Sequence, residues 1–212
     1  MSSDKNPEQA TVDEWVAEEQ WHVENATVDM SIMLQGVEPG QQIGDTTLYR
    51  LDGESVSLAS LWSVKPLLII SGSMTCPPSR MLNAQVNELA ERYPQLNVIN
   101  LYVIDAHPDG ELDGDLCPYT GTDWLGKDNK EANVRHAQPK TLDERRSLAS
   151  HYRDTLGITA DVLLDDMENG LWEALGRLPN SAVLLDTDGK CLFCQQWFMS
   201  DDIHALIAEH LP

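Results

Sequence analysis

Basic side chains are scarce in this chain: 14 Lys and Arg stand against 35 Asp and Glu, which leaves a formal net charge of −21 over 212 residues. Phosphate backbones and anionic lipid surfaces are bound through clustered cations that release counterions, so an excess of acid this large argues against both as partners. Long apolar runs are also missing. The longest, from Pro66 to Ile70, falls far short of the ~20 residues that a membrane-spanning helix needs. The N-terminus is acidic and has no apolar stretch of the signal-peptide kind. Four cysteines are too few for a disulfide-stapled scaffold, and a chain of this length can bury a core without staples. These absences predict a soluble cytoplasmic protein in which cysteine chemistry is catalytic rather than structural. No second C-x-x-C and no His pair completes a zinc set, so no bound metal is expected.

What is present divides into two parts. Residues 1–35 are Glu-rich with scattered apolar positions such as Trp15, Val16, Trp21 and Val23. They read as an acidic helical extension, either a packing arm or a homodimer contact. The glycines and proline between Gly36 and Gly44 mark a boundary, and residues 36–212 form the second unit. There a hairpin is expected over 46–51 and 55–58, around Asp52-Gly53. A buried strand follows at 67–70, then a helix over 78–93, in which Leu82, Val86, Leu89 and Tyr93 recur at helical spacing. A second strand covers 97–104, and a long loop reaches Pro139. Thr141 and Glu144 form a capping-box pair that opens a helix over 142–156. A strand at 161–164, a helix over 168–178, a hairpin of 182–185 with 191–198, and a last helix over 201–210 complete the order. This is an α/β domain with a mixed central sheet flanked by helices, parallel inside with an antiparallel end.

Ligands of open α/β sheets bind beyond the carboxyl ends of the strands. The segment Ser71-Gly72-Ser73-Met74-Thr75-Cys76-Pro77-Pro78 occupies such an end and puts Cys76 at a helix N-terminus, where orphan N–H groups and the helix dipole favour thiolate. Prolines suit the first helical positions. Ser73 and Thr75 are candidate donors to the sulfur, and Arg80, one turn on, adds positive charge if its side chain curls back. Asp105 and His107 end the neighbouring strand and read as an acid/imidazole pair, with His107 transferring a proton and Asp105 holding its tautomer or raising its pKa. Cys117, in the long loop, is the candidate resolving thiol. Cys191 and Cys194 are expected on a strand, where an offset of three points side chains to opposite faces, so their sulfurs should diverge.

Four landmarks then resemble the iodothyronine deiodinases: Gly72-Ser73-Met74-Thr75-Cys76-Pro77-Pro78, with Cys where that family has selenocysteine; Tyr102-Val103-Ile104-Asp105-Ala106-His107-Pro108; Thr141-Leu142-Asp143-Glu144-Arg145; and Val162-Leu163-Leu164-Asp165-Asp166-Met167-Glu168-Asn169. They fall in order over about 150 residues, within 61–211. The resemblance implies a thioredoxin-like fold with peroxiredoxin-type features. It further implies a thiol-dependent oxidoreductase that removes iodide from an aromatic ring: Cys76 attacks the halogen, His107 and Asp105 assist proton delivery, and Arg80, Arg145 and His136 steady the substrate or the thiolate. No cofactor is bound, and an external thiol such as thioredoxin or glutathione is the reductant.

The chain also departs from the family. Met74 stands where many relatives have a Cys, Pro139 aligns with a His, and Asn180 with an acid. A peroxiredoxin-like peroxidase, in which Cys76 becomes a sulfenic acid that Cys117 or an external thiol resolves, is the alternative. In that reading Ser73 takes the place of the peroxiredoxin hydroxyl residue. A third reading is a redox sensor or binding module without catalysis.

Overall fold

A computed structural model of the chain describes residues 36–211, apart from Thr120 and Thr122. The extension expected over 1–35 lies outside the described residues. Seven strands form one sheet: β1 (Thr47–Arg50), β2 (Ser55–Ser57), β3 (Leu67–Gly72), β4 (Asn97–Tyr102), β5 (Asp161–Leu164), β6 (Ala182–Leu185) and β7 (Cys191–Gln195). Their order across the sheet is β2-β1-β5-β4-β3-β6-β7. The centre, β5-β4-β3, is parallel. Both flanks are antiparallel, with β1 on β5 and β6 on β3, where the sequence suggested one antiparallel end.

The central strands are apolar on both faces because each face is covered. Leu68 and Ile70 of β3 enter one core layer, and Leu67 and Ile69 enter the other. The first layer is closed by helices α2 (Pro77–Leu82), α3 (Val86–Arg92), α6 (Leu142–Leu156) and α8 (Ser200–His210), through residues such as Leu82, Leu89, Tyr152 and Ile203. The second is closed by α1 (Leu58–Trp62) and α7 (Gly170–Ala174), together with Ala106, Cys117, Tyr119 and Trp124 from the long connection. That connection is not structureless, since it holds two short helices, α4 (Gly110–Asp113) and α5 (Lys127–Glu131).

Helix α6 has the bounds its sequence implies. Thr141 and Glu144 exchange both capping-box bonds, and Gly157, at φ +64°, ends the helix in the left-handed conformation. The helix expected over 78–93 is instead broken by a single 3₁₀ turn at Asn83–Gln85. Asn83 is buried there and donates its side-chain amide to the Ser71 carbonyl at 2.8 Å. A polar group aimed inward at the strand is satisfied at the cost of helical regularity. Helix α7 is shorter than the 168–178 expected, because Asn169 (φ +59°), Gly176 (φ +98°) and Arg177 (φ +60°) take left-handed conformations on either side of it. Strands β4 and β7 likewise stop short, at Tyr102 and Gln195.

Candidate active site

Strand β3 ends at Gly72, and no larger residue fits there. A Cβ would sit 2.3 Å from the Asn83 amide and 2.4 Å from the Tyr152 hydroxyl. The chain then turns through Ser73, Met74 and Thr75, all buried, into Cys76. Cys76 is the N-cap of α2 with extended backbone (φ −87°, ψ 114°), and Pro77 and Pro78 fill the first helical positions. The Arg80 side chain curls back as the spacing allows, donating to the Met74 carbonyl at 2.8 Å. Burial pulls its guanidinium below the ordinary arginine range, and the charge of the Cys76 sulfur opposes that pull. The attraction is mutual: a guanidinium in range of a sulfur favours the thiolate.

Cys76 has no exposed surface. It shares its core layer with Ala106, Cys117, Tyr119 and Trp124, all contributed by the connection after β4. All four cysteines are free thiols. The structure thus brings Cys117 into the layer that holds Cys76, and a substrate reaches the sulfur only when side chains packed around it move.

Asp105 is fully buried and lies at the carboxyl end of β4, as expected, but its carboxylate faces Thr75 rather than the His107 ring. One oxygen accepts from the Thr75 N–H at 3.1 Å and from the Thr75 hydroxyl at 3.0 Å. The other accepts from Tyr102 at 2.9 Å, and the Tyr102 oxygen in turn accepts from the Met74 N–H at 3.2 Å. Burial lifts the carboxyl to about 6, against these hydrogen bonds and the more distant charge of Arg145. The same burial, with Asp105 nearby, keeps Tyr102 protonated well above the usual range. The acid expected to hold a histidine tautomer instead holds the loop that carries the cysteine. Thr75 spends its hydroxyl proton on Asp105, so it does not donate to sulfur as expected. Ser73 presents its hydroxyl oxygen to the Ala106 N–H at 3.4 Å.

His107 is buried, and its ring meets Trp124 edge to face at 4.4 Å between centroids. Its backbone N–H donates to the Thr75 hydroxyl at 3.0 Å. The two strand ends singled out by the sequence are therefore joined through Thr75. Asn129 of α5 adds a third tie, donating to the Thr75 carbonyl at 2.8 Å. Neither Asn129 nor Gln138 stood out in the sequence, because nothing local marks their role. Gln138 clamps the Asp105 backbone from both sides, accepting from its N–H at 3.0 Å and donating to its carbonyl at 2.9 Å.

Arg145 and His136, both expected near substrate or thiolate, are placed apart. Arg145 is buried and binds the turn after β5: it donates to the carbonyls of Asp165 (3.2 Å) and Asp166 and to the Asn169 side chain (2.8 Å). Two of the resemblance landmarks meet in this clamp, which explains their pairing in structural terms. His136, by contrast, lines an open cleft of about 450 Å³ together with His151, Gln138, Lys140 and Leu148. Its ring centroid is 5.6 Å from that of His151. Burial, then His151, then Arg80 hold its pKa below the usual histidine range, so it is a neutral donor or acceptor at neutral pH.

No protein-family model matches the chain, and no curated protein matches it. Solved structures do. The thioredoxin domain of a thiol-disulfide oxidoreductase from Bacteroides vulgatus superposes with a TM-score of 0.56 at 11% identity, covering 84% of this chain and 100% of that one. The fold is thioredoxin-like. A thioredoxin-like protein from Aeropyrum pernix gives 0.52 at 16% identity, over 78% and 89% of the two chains. A secreted disulfide oxidoreductase of Mycobacterium tuberculosis, homologous to E. coli DsbE, gives 0.51 at 12%, over 77% and 95%. At such identities the likeness concerns the fold alone. Redox dithiols on a thioredoxin-like frame are spelled C-x-x-C, whereas here Cys76 is followed three residues later by Ser79. That hydroxyl is buried and donates to the Pro179 carbonyl at 2.9 Å. The position of a partner thiol is thus taken by a structural serine.

Proposed function

We propose that this chain is a thiol-dependent oxidoreductase that works through a single nucleophile, Cys76, and reduces a small electrophile of the halogenated-phenol class. The observation that carries the reading is the seat of Cys76. It caps a helix opened by two prolines beyond a parallel strand, with Arg80 folded back toward it and Ser79 where a dithiol would have its second sulfur. A monothiol of this kind attacks, and something else restores it.

In the deiodinase-type reaction the Cys76 thiolate takes the halogen of an aryl iodide as a formal iodonium. The ring carbon keeps the electron pair and receives a proton, giving Ar–H and an enzyme sulfenyl iodide. One external thiol displaces iodide to form a mixed disulfide, and a second releases Cys76 as thiol with the external disulfide as product. We assign proton delivery to His107. The open cleft lined by His136, His151, Lys140 and Leu148 offers a phenol one apolar wall with hydrogen-bonding and cationic groups, and passage from it to Cys76 requires the side chains around the buried sulfur to move.

A second reading is favoured by one placement, that of Cys117 in the same core layer as Cys76. Peroxide would oxidise Cys76 to a sulfenic acid with release of water, and Cys117 would condense with it to a disulfide, releasing a second water. Turnover with a dithiol reductant separates the two. Iodide release from diiodotyrosine that depends on Cys76 supports the first reading. Peroxide consumption without iodide release, with a Cys76–Cys117 disulfide trapped on the way, replaces it with the second. Neither activity with wild-type protein overturns both.

A further inference from the structure

Strand β7 carries the chain's one C-x-x-C, Cys191-Leu192-Phe193-Cys194, and its geometry corrects the sequence expectation. Leu185 pairs with Cys191, Leu184 with Phe193 and Val183 with Cys194, with a register shift between Leu184 and Leu185. One extra residue, Leu192, is inserted on β7, a β-bulge. Leu185 and Val183 are two apart and share a face, so the cysteines opposite them share it as well. The packing agrees. Cys191 lies in the core layer that holds Val183 and Leu185, Cys194 packs against that layer, and Phe193 lies in the opposite one.

The two thiols therefore stand side by side. Two register steps separate them by roughly 6.6 Å along the strand, at the far limit of a disulfide's Cα span. Parallel Cβ vectors then leave the β-carbons well beyond the ~3.8 Å that a disulfide needs. A bridging metal has no such restriction: two metal–thiolate bonds of roughly 2.3 Å, in line, span sulfurs about 4.6 Å apart. Among the described residues no group of three or more His, Cys, Asp or Glu is placed to hold a metal, so the four-ligand shell of structural zinc is not assembled here. A soft cation content with two thiolates is the class that fits. Cys194 also lines a cleft of about 350 Å³ with Gly36, Pro39, Leu178 and Gln196, which gives a route in, while Cys191 is buried.

We propose that Cys191 and Cys194 form a two-coordinate site for a soft monovalent cation of the Cu(I) class, separate from Cys76. Binding is then Cu(I) plus two thiols giving a bis-thiolate complex and two protons, with no change of oxidation state, and uptake weakens as pH falls.

The test uses the reduced full chain carrying Cys76→Ser and Cys117→Ser, titrated anaerobically with Cu(I) held by a chromogenic chelator. The expected result is stoichiometric transfer of one ion per chain, X-ray absorption showing two sulfur ligands, and loss of that uptake on adding Cys191→Ser or Cys194→Ser. Circular dichroism of each metal-free variant checks that it is folded, and the absorption measurement needs neither added substitution. Copper left on the chelator, a shell of nitrogen and oxygen ligands, uptake unchanged in the added variants, or ready closure of a Cys191–Cys194 disulfide by a mild oxidant would each overturn the proposal.

Discussion

Thr75 gives its backbone N–H and its hydroxyl proton to the same oxygen of Asp105, at 3.1 and 3.0 Å, while its hydroxyl oxygen accepts the backbone N–H of His107 at 3.0 Å. All three residues are buried. The residue beside the nucleophile is thus the joint between β3 and β4. Thr75→Val keeps the shape but removes one donor from a buried carboxylate and strands the His107 N–H. The expected loss is about 1–3 kcal/mol of stability, read by urea unfolding, together with slower oxidation of Cys76. Thr75→Ser should restore both, and a Val variant as stable as wild type would show that the joint carries no energy.

Asp105 should make stability depend on pH in a particular sense. Its folded pKa is about 6, raised from 3.8, so the folded state binds this proton more tightly than the unfolded one. The contribution favours the fold below the unfolded value and is lost as pH rises through 6. Asp105→Asn removes the titration. Relative to wild type, the Asn variant should gain on going from pH 4 to pH 7, by up to roughly 3 kcal/mol. Urea unfolding at several pH values reads this, and a difference that does not vary with pH would place the carboxyl outside the linkage.

Arg80 is the charge that faces Cys76. Arg80→Met should slow thiolate-dependent modification of Cys76 at neutral pH by roughly tenfold, with the pH profile of the rate displaced upward, and Arg80→Lys should recover part of it. An undisplaced profile would leave the helix N-terminus as the sole influence on the sulfur.

Trp124 lies in the same core layer as Cys76 and braces His107, with ring centroids 4.4 Å apart. Trp124→Ala should speed the reaction of Cys76 with hydrogen peroxide, because the core layer that buries the sulfur is loosened, and slow any iodide release that depends on an oriented His107. Opposite movement of the two rates separates access from orientation. Parallel slowing would mean that the substitution had disordered the site.

Arg145→Met leaves the carbonyls of Asp165 and Asp166 without their buried partner. Hydrogen bonds from a charged donor are worth about 1.5–3 kcal/mol each, so the variant should unfold at markedly lower urea while Cys76 stays reactive in whatever protein remains folded. Lost reactivity with unchanged stability would return Arg145 to the site.

The strands and α6 were legible because their signals are local: continuous apolar runs, a capping box and a terminal glycine. The position of Cys76 followed from strand, Gly and Pro-Pro in sequence. What escaped depends on partners distant in the chain. The break at Asn83 exists because the Ser71 carbonyl is there to be met. The shared face of Cys191 and Cys194 exists because β6 sets the register across a bulge. Asp105 turns to Thr75 rather than to the His107 ring because three donors converge on its carboxylate once β3 and β4 are side by side, a geometry that no spacing within residues 102–108 encodes.

Single-turnover chemistry with site mapping tests the central claim most directly. Reduced wild-type protein and Cys76→Ser are mixed, without external thiol, with diiodotyrosine or hydrogen peroxide, and the state of each cysteine is followed by mass spectrometry alongside free iodide. The expected result is that modification, with any iodide release, begins at Cys76 and vanishes in the folded Cys76→Ser variant. Equal reaction in that variant, or first modification at Cys117, Cys191 or Cys194 in the wild type, would contradict it.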